Sequence, residues 1–418
     1  MDIEQSVINE KFLNIMKSAL RGTPVASLSG LTAQEWNSIL SLAESHKVLP
    51  LVYETIYKSA AEGEAAEAFA RSRRMVRYLV MNQTVKTEAF LELYQHLLDQ
   101  GLKPLVVKGI VCRGLYPYPD HRISSDEDVW IQAESYDRYH EAMLFFGMYT
   151  EASEDERKYK YEISYFKKDS ALFIELHKNL FAPEAESHGD WNRFFEGAAE
   201  RAVADEFQGR TVYTLGHTDH LFYLICHAFK HFIHSGLGIR QLCDIVMYAN
   251  AHGAAVDWEQ IYRNCCEIHA EGFVAAVFEI GRKYLVFDPQ KAGYPDYWRE
   301  LAVDEAPMLE DMLSGGIYGS STMSRKHSSN ITLDAVAADK KGRRTAPSLR
   351  GSLFPPAKNL TARYPYLRKY PWLVPVAWAD RILKYGKEIK NTDNNNALEA
   401  VKIGNQRIEL LRQYGVIK

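Results

Sequence analysis

Apolar residues recur at helical spacing through the first hundred positions. From Glu64 to Asp99, the residues Phe69, Val76, Leu79, Val80 and Gln83, then Phe90, Leu91, Tyr94, Leu97 and Leu98, pair with one another at separations of three, four or seven. That period predicts one long helix packed along the domain that follows. Upstream, Thr32 with Glu35 three residues on has capping-box spacing and opens a helix through His46. Gln100-Gly101 ends the long helix, and the pattern changes. Leu105-Val106-Val107 reads as a short strand, Ile110 to Tyr116 as a short helix, and Ser135 to Phe146 as a helix closed by Gly147. Tyr159 to Lys167 and Ala171 to His177 read as a hairpin about Asp169-Ser170, and Val212 to Leu215 as a last strand. Helical spacing returns from Thr218 or Asp219, either of which can cap a helix running to Ile233, and again from Ala397 to Tyr414. The predicted class is α/β, of the α+β kind: a core at residues 101–215, a helical region at 1–100 and a helical domain roofing the site at 216–290. Residues 291–418 complete it as a helical and irregular region.

Composition changes this picture in one place. Apolar residues at 46%, charged residues at 25% and a net charge of −4 describe an ordinary globular chain with no global attraction to polyanions. Residues 340–369, however, hold nine Lys or Arg and no acid; removing those nine positive charges leaves −13 for the rest. The aromatic run Tyr364 to Trp378 and the bases Arg381, Lys384 and Lys387 follow, so residues 340–387 form a candidate contact for an anionic membrane surface or a polyanion. Pro371 and Pro375 prevent a single amphipathic helix there, and packing back on the protein is the alternative. Residues 391–396 read as a polar linker. No stretch approaches the ~18 apolar residues of a membrane span, and Met1-Asp2-Ile3-Glu4-Gln5 carries acids where a secretory signal has bases. The expected location is cytoplasmic, with peripheral membrane docking as a variant. Cys112, Cys226, Cys243, Cys265 and Cys266 lack metal-ligand spacing and read as buried free thiols.

The chemistry concentrates between Lys108 and His177. A strand running into Lys108-Gly109 with a helix behind it places backbone N–H groups where a phosphate can sit. Side chains alternate along a strand, so Asp126 and Asp128 share a face. In the next candidate strand Leu172, Ile174 and Leu176 take one face, leaving Phe173, Glu175 and His177 on the other. If these strands are neighbours, three carboxylates converge, and such a group raises its own pKa values unless a cation is present. Oxygen ligands of this kind suit Mg²⁺ or Mn²⁺. Taken alone, Asp126-Glu127-Asp128 would be a solvated turn; Lys108-Gly109 before it and the apolar-flanked Glu175 after it change that reading. His177 can orient substrate, take a proton, or hydrogen-bond its neighbour.

This order of residues resembles the nucleotidyltransferase superfamily that includes DNA polymerase beta and the aminoglycoside nucleotidyltransferases. Val107-Lys108-Gly109, Tyr116-Pro117, Arg122, Ser125-Asp126-x-Asp128 and Glu175-Leu176-His177 look more closely like an uncharacterised bacterial nucleotidyltransferase-like family in which Lys-Gly replaces Gly-Ser. The resemblance implies a polymerase-beta-like core with a mixed sheet. It implies transfer of an NMP from an NTP, ATP being the first candidate, to an unidentified acceptor hydroxyl or phosphate. Asp126, Asp128 and Glu175 are then both the catalytic residues and the metal ligands, and Lys108, Gly109, Arg122, Ser125 and His177 contact the nucleotide. Ile110 stands where the superfamily often has a phosphate-binding Ser. Glu127 stands where an apolar residue is usual, which predicts a half-buried first strand residue.

Downstream, His220, His227, His231 and His234 share a helix face without the glutamate of a zinc-protease motif. The closer family has a similar His-x-x-x-His helix followed by an Arg and an Asp, matched here by Arg240 and Asp244. His227, His231, Arg240 and Asp244 are therefore candidate substrate contacts, with an Arg240–Asp244 pair at i, i+4 as the plain structural alternative. The glycine-rich run at residues 314–321 has neither the strand nor the Gly-Lys-Ser/Thr of a P-loop and reads as a loop. Set against the enzyme reading is a catalytically inactive adaptor, binding a nucleotide or partner and docking through its basic aromatic region.

Overall fold

The computed structural model describes residues 3–25, 28, 30–58, 66–316, 322–342, 360, 364, 366–380 and 397–418. Most of the basic segment, residues 317–321 and residues 381–396 lie outside these, and with them the expectations for Arg381, Lys384, Lys387 and the polar linker.

Helices α1 (Ile3–Arg21), α2 (Ala33–Ser45) and α3 (Leu49–Ile56) pack with the long α4 (Ala66–Asp99). The capping box forms as its spacing predicts: Thr32 N–H donates to Glu35 at 2.7 Å and Glu35 N–H to Thr32 Oγ at 3.2 Å. Gly101 follows α4 with φ +70°, a left-handed position that a residue with a Cβ takes only at a cost.

The core alternates strands with short helices: β1 (Leu105–Val107), α5 (Gly109–Arg113), β2 (Glu127–Trp130), α6 (Tyr136–Phe145), β3 (Met148–Tyr149) and α7 (Glu154–Tyr159). It continues through β4 (Glu162–Lys167), β5 (Phe173–His177), β6 (Val203–Phe207) and β7 (Arg210–Thr214). The seven strands form one open sheet in the order β3-β4-β5-β2-β1-β7-β6. Two pairings, β2 with β5 and β1 with β7, are parallel and the rest antiparallel, so the sheet is mixed as expected. The β2–β5 register sets Asp128 directly opposite Glu175.

Helices α8 (His217–His234) and α9 (Ile239–His252) cross the sheet's functional end, and α10 (Trp258–Glu267), α11 (Glu271–Tyr284), α12 (Tyr297–Glu300), α13 (Ala306–Gly315) and α14 (Met323–Lys340) follow. A last helix, Ala397–Gln413, packs along α14. One buried apolar cluster runs from Ile8 to Ile417. Leu360, Tyr364, Leu367, Val374 and Ala377 form a small cluster apart from it, beside an exposed Trp372. No helix among the described residues is long and apolar enough to cross a membrane.

Three local expectations are corrected. The short helix expected to reach Tyr116 closes at Arg113, so little more than one turn stands behind Gly109. Strand β6 was not foreseen: it is an edge strand whose Ala204, Asp205 and Glu206 are exposed, so it shows no apolar alternation. Neither Thr218 nor Asp219 caps α8, which begins at His217 after Gly216. Asp219 instead accepts from Arg201 at 2.8 and 3.1 Å, and Thr218 Oγ accepts from Asp257 N–H at 2.9 Å.

Candidate active site

Strand β1 ends in a strained turn. Lys108 has φ +62° and is held there by its own N–H, which donates to His220 Nε2 at 3.2 Å. Because Nε2 accepts, Nδ1 carries the proton of this buried, neutral imidazole and donates to Thr214 Oγ at 2.9 Å; Thr214 in turn donates to Val106 O at 2.7 Å. Burial, with the charges of His252 and His217, pushes the His220 pKa down to about 3, so the tautomer persists across ordinary pH. Sequence spacing placed His220 on the helix face but gave no hint of this task.

Gly109, at φ +36°, has no room for a side chain: a Cβ would lie 2.2 Å from Glu127 Oε2. The expected half-burial of Glu127 is wrong, since the residue is fully buried. It points away from Asp126 and Asp128 into a pocket where Arg113 pairs with it and Lys86 Nζ lies 3.4 Å away. Ser124 Oγ also donates to it at 3.1 Å. Burial drives its pKa up, but the two cations more than offset this and hold the carboxyl below its ordinary value. Lys86 further donates to Ser124 O at 2.9 Å, and Gln83 Oε1 accepts from Ser124 N–H at 2.9 Å. Helix α4 thus clamps the loop leading to Asp126. The sequence signal was present as polar residues, Gln83, Lys86 and Thr87, on the buried side of an apolar helix stripe.

On the opposite face of β2, Asp128 meets Glu175 and His177, one ligand atom of each lying within 4.8 Å of the others. His177 Nε2 is 3.2 Å from Asp128 Oδ1 and 3.8 Å from Glu175 Oε2. Lys108 Nζ reaches Asp128 Oδ2 at 2.8 Å and donates to His227 Nε2 at 3.1 Å. Burial alone would raise Asp128, but the Lys108 ammonium and then His177 hold it far below the carboxylate range. Among the described residues no lysine or arginine reaches Glu175 at ion-pair distance, and His177 lies 3.8 Å away. Burial, then the charges of Asp128 and Asp126, push it up to about 7, the self-repulsion expected of clustered acids.

The remaining candidates divide into two sets. Asp126 is half-buried and, with Lys108, Gly109, Asp128 and His227, lines a narrow pocket beside the three-residue group without joining that group. The ligand set on which the atoms converge therefore includes His177 and is not oxygen-only. Ser125 is exposed and absent from the pocket lining. Arg122 reaches the pocket, but its guanidinium is taken up by Asp244 at 2.5 and 3.0 Å, and Tyr116 OH donates to the same carboxylate at 2.8 Å. Asp244 therefore pairs with Arg122 rather than with Arg240, which donates to Ile123 O. Together these bonds tie α9 to the loop at residues 116–123. His231 packs edge-on against His227 at 4.7 Å, and the helix histidines form no ligand group among the described residues. All five cysteines are free; four are buried as expected, and Cys266 is half-buried. The pocket holds only about 20 Å³ of free volume, room for one water.

A mixed open sheet with a Lys-Gly turn on one strand and acids facing each other across the next two defines a core of the polymerase-beta type. The chain belongs to the family described as uncharacterised nucleotidyltransferase, whose pattern matches residues 32–285, and through it to that superfamily. No curated protein and no solved structure matches it.

Proposed function

We propose that the protein is a metal-dependent nucleotidyltransferase that moves an NMP from an NTP to an acceptor hydroxyl. The observation that carries this reading is the register-fixed meeting of Asp128, Glu175 and His177 beside Lys108. Two carboxylates and an imidazole fit a divalent cation, and the imidazole suits Mn²⁺ better than Mg²⁺, an ion usually held by oxygens. Asp128, Glu175 and His177 would hold it, with Asp126 completing the shell toward the nucleotide. A bound cation there would supply Lewis-acid stabilisation of the phosphoryl oxygens. Lys108, released from Asp128, pairs with the triphosphate, and the tightly turned backbone at Gly109 lets the phosphates approach. The acceptor oxygen bonds to the α-phosphorus as the bond to the β-phosphate oxygen breaks. Pyrophosphate leaves, and the hydroxyl proton passes to Glu175, which stands beside the metal position.

A second reading, an adaptor without turnover, draws on the ammonium of Lys108 already neutralising Asp128 in a nearly filled pocket. Calorimetric titration of ATP, GTP, CTP and UTP with Mn²⁺ or Mg²⁺, followed by pyrophosphate release, separates the two. At least one nucleotide is expected to bind, and Asp126→Asn with Asp128→Asn is expected to lower turnover on the order of 10³-fold or more while the protein stays folded. Nucleotide binding without turnover in the wild type supports the adaptor, and absence of binding by all four overturns the transferase.

A further inference from the structure

Helix α4 is buried on one side only. Its inner side carries Val76, Gln83 and Phe90 to the core and to the loop before Asp126. On the outer side Arg71, Arg74, Tyr78, Met81, Val85 and Glu92 are all exposed and follow at steps of three, four or seven, which sets them within about 80° of one another around the helix. Tyr78 is 63% exposed, Met81 68% and Val85 60%. One exposed apolar side chain is ordinary, but three on successive turns make a patch. Exposed Tyr118 borders it, since its neighbour Asp120 lies 2.6 Å from Thr84 Oγ on the same helix.

The charge along this stripe changes sign from end to end. Before the apolar centre stand Arg71 and Arg74, with exposed Arg73 and Arg77 beside them, and no ion pair among the described residues involves any of the four. After the centre come Glu88 and Glu92, both exposed. Glu88 pairs with Arg210, and Glu92 is in no ion pair among the described residues. About 30 Å of helix separates Arg71 from Glu92, so the two ends cannot neutralise each other within one chain.

We propose that this face is covered by the same face of a second copy of the chain, the two α4 helices running antiparallel about a twofold axis near Met81. Tyr78, Met81 and Val85 of each copy then lie against those of the other and leave water. The basic end of each helix lies over the acidic end of the other, whereas a parallel pair would set Arg against Arg and Glu against Glu. The apolar centre supplies the attraction and the charges fix the direction, because exposed ion pairs contribute little by themselves. This pairing does not rest on the nucleotidyltransferase reading.

Analytical ultracentrifugation of the full chain tests it. A contact made by one helix from each copy falls at the small end of stable interfaces, so a monomer–dimer equilibrium with Kd on the order of 10 µM is expected. Met81→Glu, which brings two carboxylates together at the axis, is expected to weaken it by at least about tenfold, as is Arg71→Glu/Arg74→Glu. Adding Glu88→Lys/Glu92→Lys to that double variant reverses both ends of the stripe and is expected to restore Kd to within about threefold of wild type. All five positions are exposed, so urea midpoints measured in dilute solution are expected to stay unchanged and to show the variants folded. A wild type that stays monomeric at about 100 µM overturns the proposal, including one that binds phosphatidylglycerol vesicles through these arginines instead. So does a dimer indifferent to Met81→Glu, or a fourfold variant that does not regain pairing.

Discussion

Glu127 and Asp128 are neighbours in the chain and opposites in the fold. Glu127 lies on one face of β2, sealed among Arg113, Lys86 and Ser124, and touches neither solvent nor candidate ligand. Asp128 lies on the other face, paired with Lys108, beside a glutamate that no lysine or arginine reaches at ion-pair distance among the described residues. Both sites gather charge in a buried setting, but in the first the cations outweigh burial and lower the carboxyl, whereas Glu175 in the second is raised to about 7. A charge-compensated cluster is scaffolding; an under-compensated one marks where a cation is wanted.

The largest expected effect breaks the first cluster. Glu127→Gln leaves Arg113 and Lys86 facing a neutral amide in a closed space and is expected to cost about 3–5 kcal/mol of stability. Asp128→Asn is expected to cost clearly less, because Lys108 is partly exposed and keeps His227 as a partner. Urea denaturation of the two variants side by side measures the contrast. Equal losses would mean that Asp128 is as structural as Glu127.

A smaller effect sharpens the second cluster through pH. The folded Glu175 pKa lies above the ordinary 4.5, so between about pH 4.5 and 7 the native state keeps a proton that the unfolded chain has released. Stability is therefore lost as pH rises through that window. Relative to Glu175→Gln, the metal-free wild type is expected to lose up to about 3 kcal/mol between pH 4.5 and pH 8, and added Mn²⁺ to restore it. A wild-type-minus-variant difference that is flat with pH would show that Glu175 is not crowded by its neighbours.

Much of the second cluster was legible in the sequence because it depends on alternation. The two-residue period put Glu175 with His177, and adjacency of two strands set Asp128 beside them, whereas Asp126, outside the strand, lines the neighbouring pocket. Long-range pairing was hidden. Arg113 lies 14 residues from Glu127 and Lys86 lies 41, so no local pattern announced that a glutamate in a strand would be buried and paired. The same holds for Asp244, which Arg122 claims from 122 residues away in place of the i, i+4 partner Arg240. Gly101 and the Thr32 capping box, by contrast, are written into a few consecutive residues and stand where they were read.

The proposed nucleotidyl transfer needs a cation held by Asp128, Glu175 and His177, and Mn²⁺ titration followed by electron paramagnetic resonance measures that directly. The wild type is expected to bind Mn²⁺ without nucleotide, with His177→Ala weakening binding by about tenfold or more and Asp128→Asn/Glu175→Gln removing it. Mn²⁺ binding unchanged in the double variant, or absent from the wild type with and without nucleotide, would contradict it.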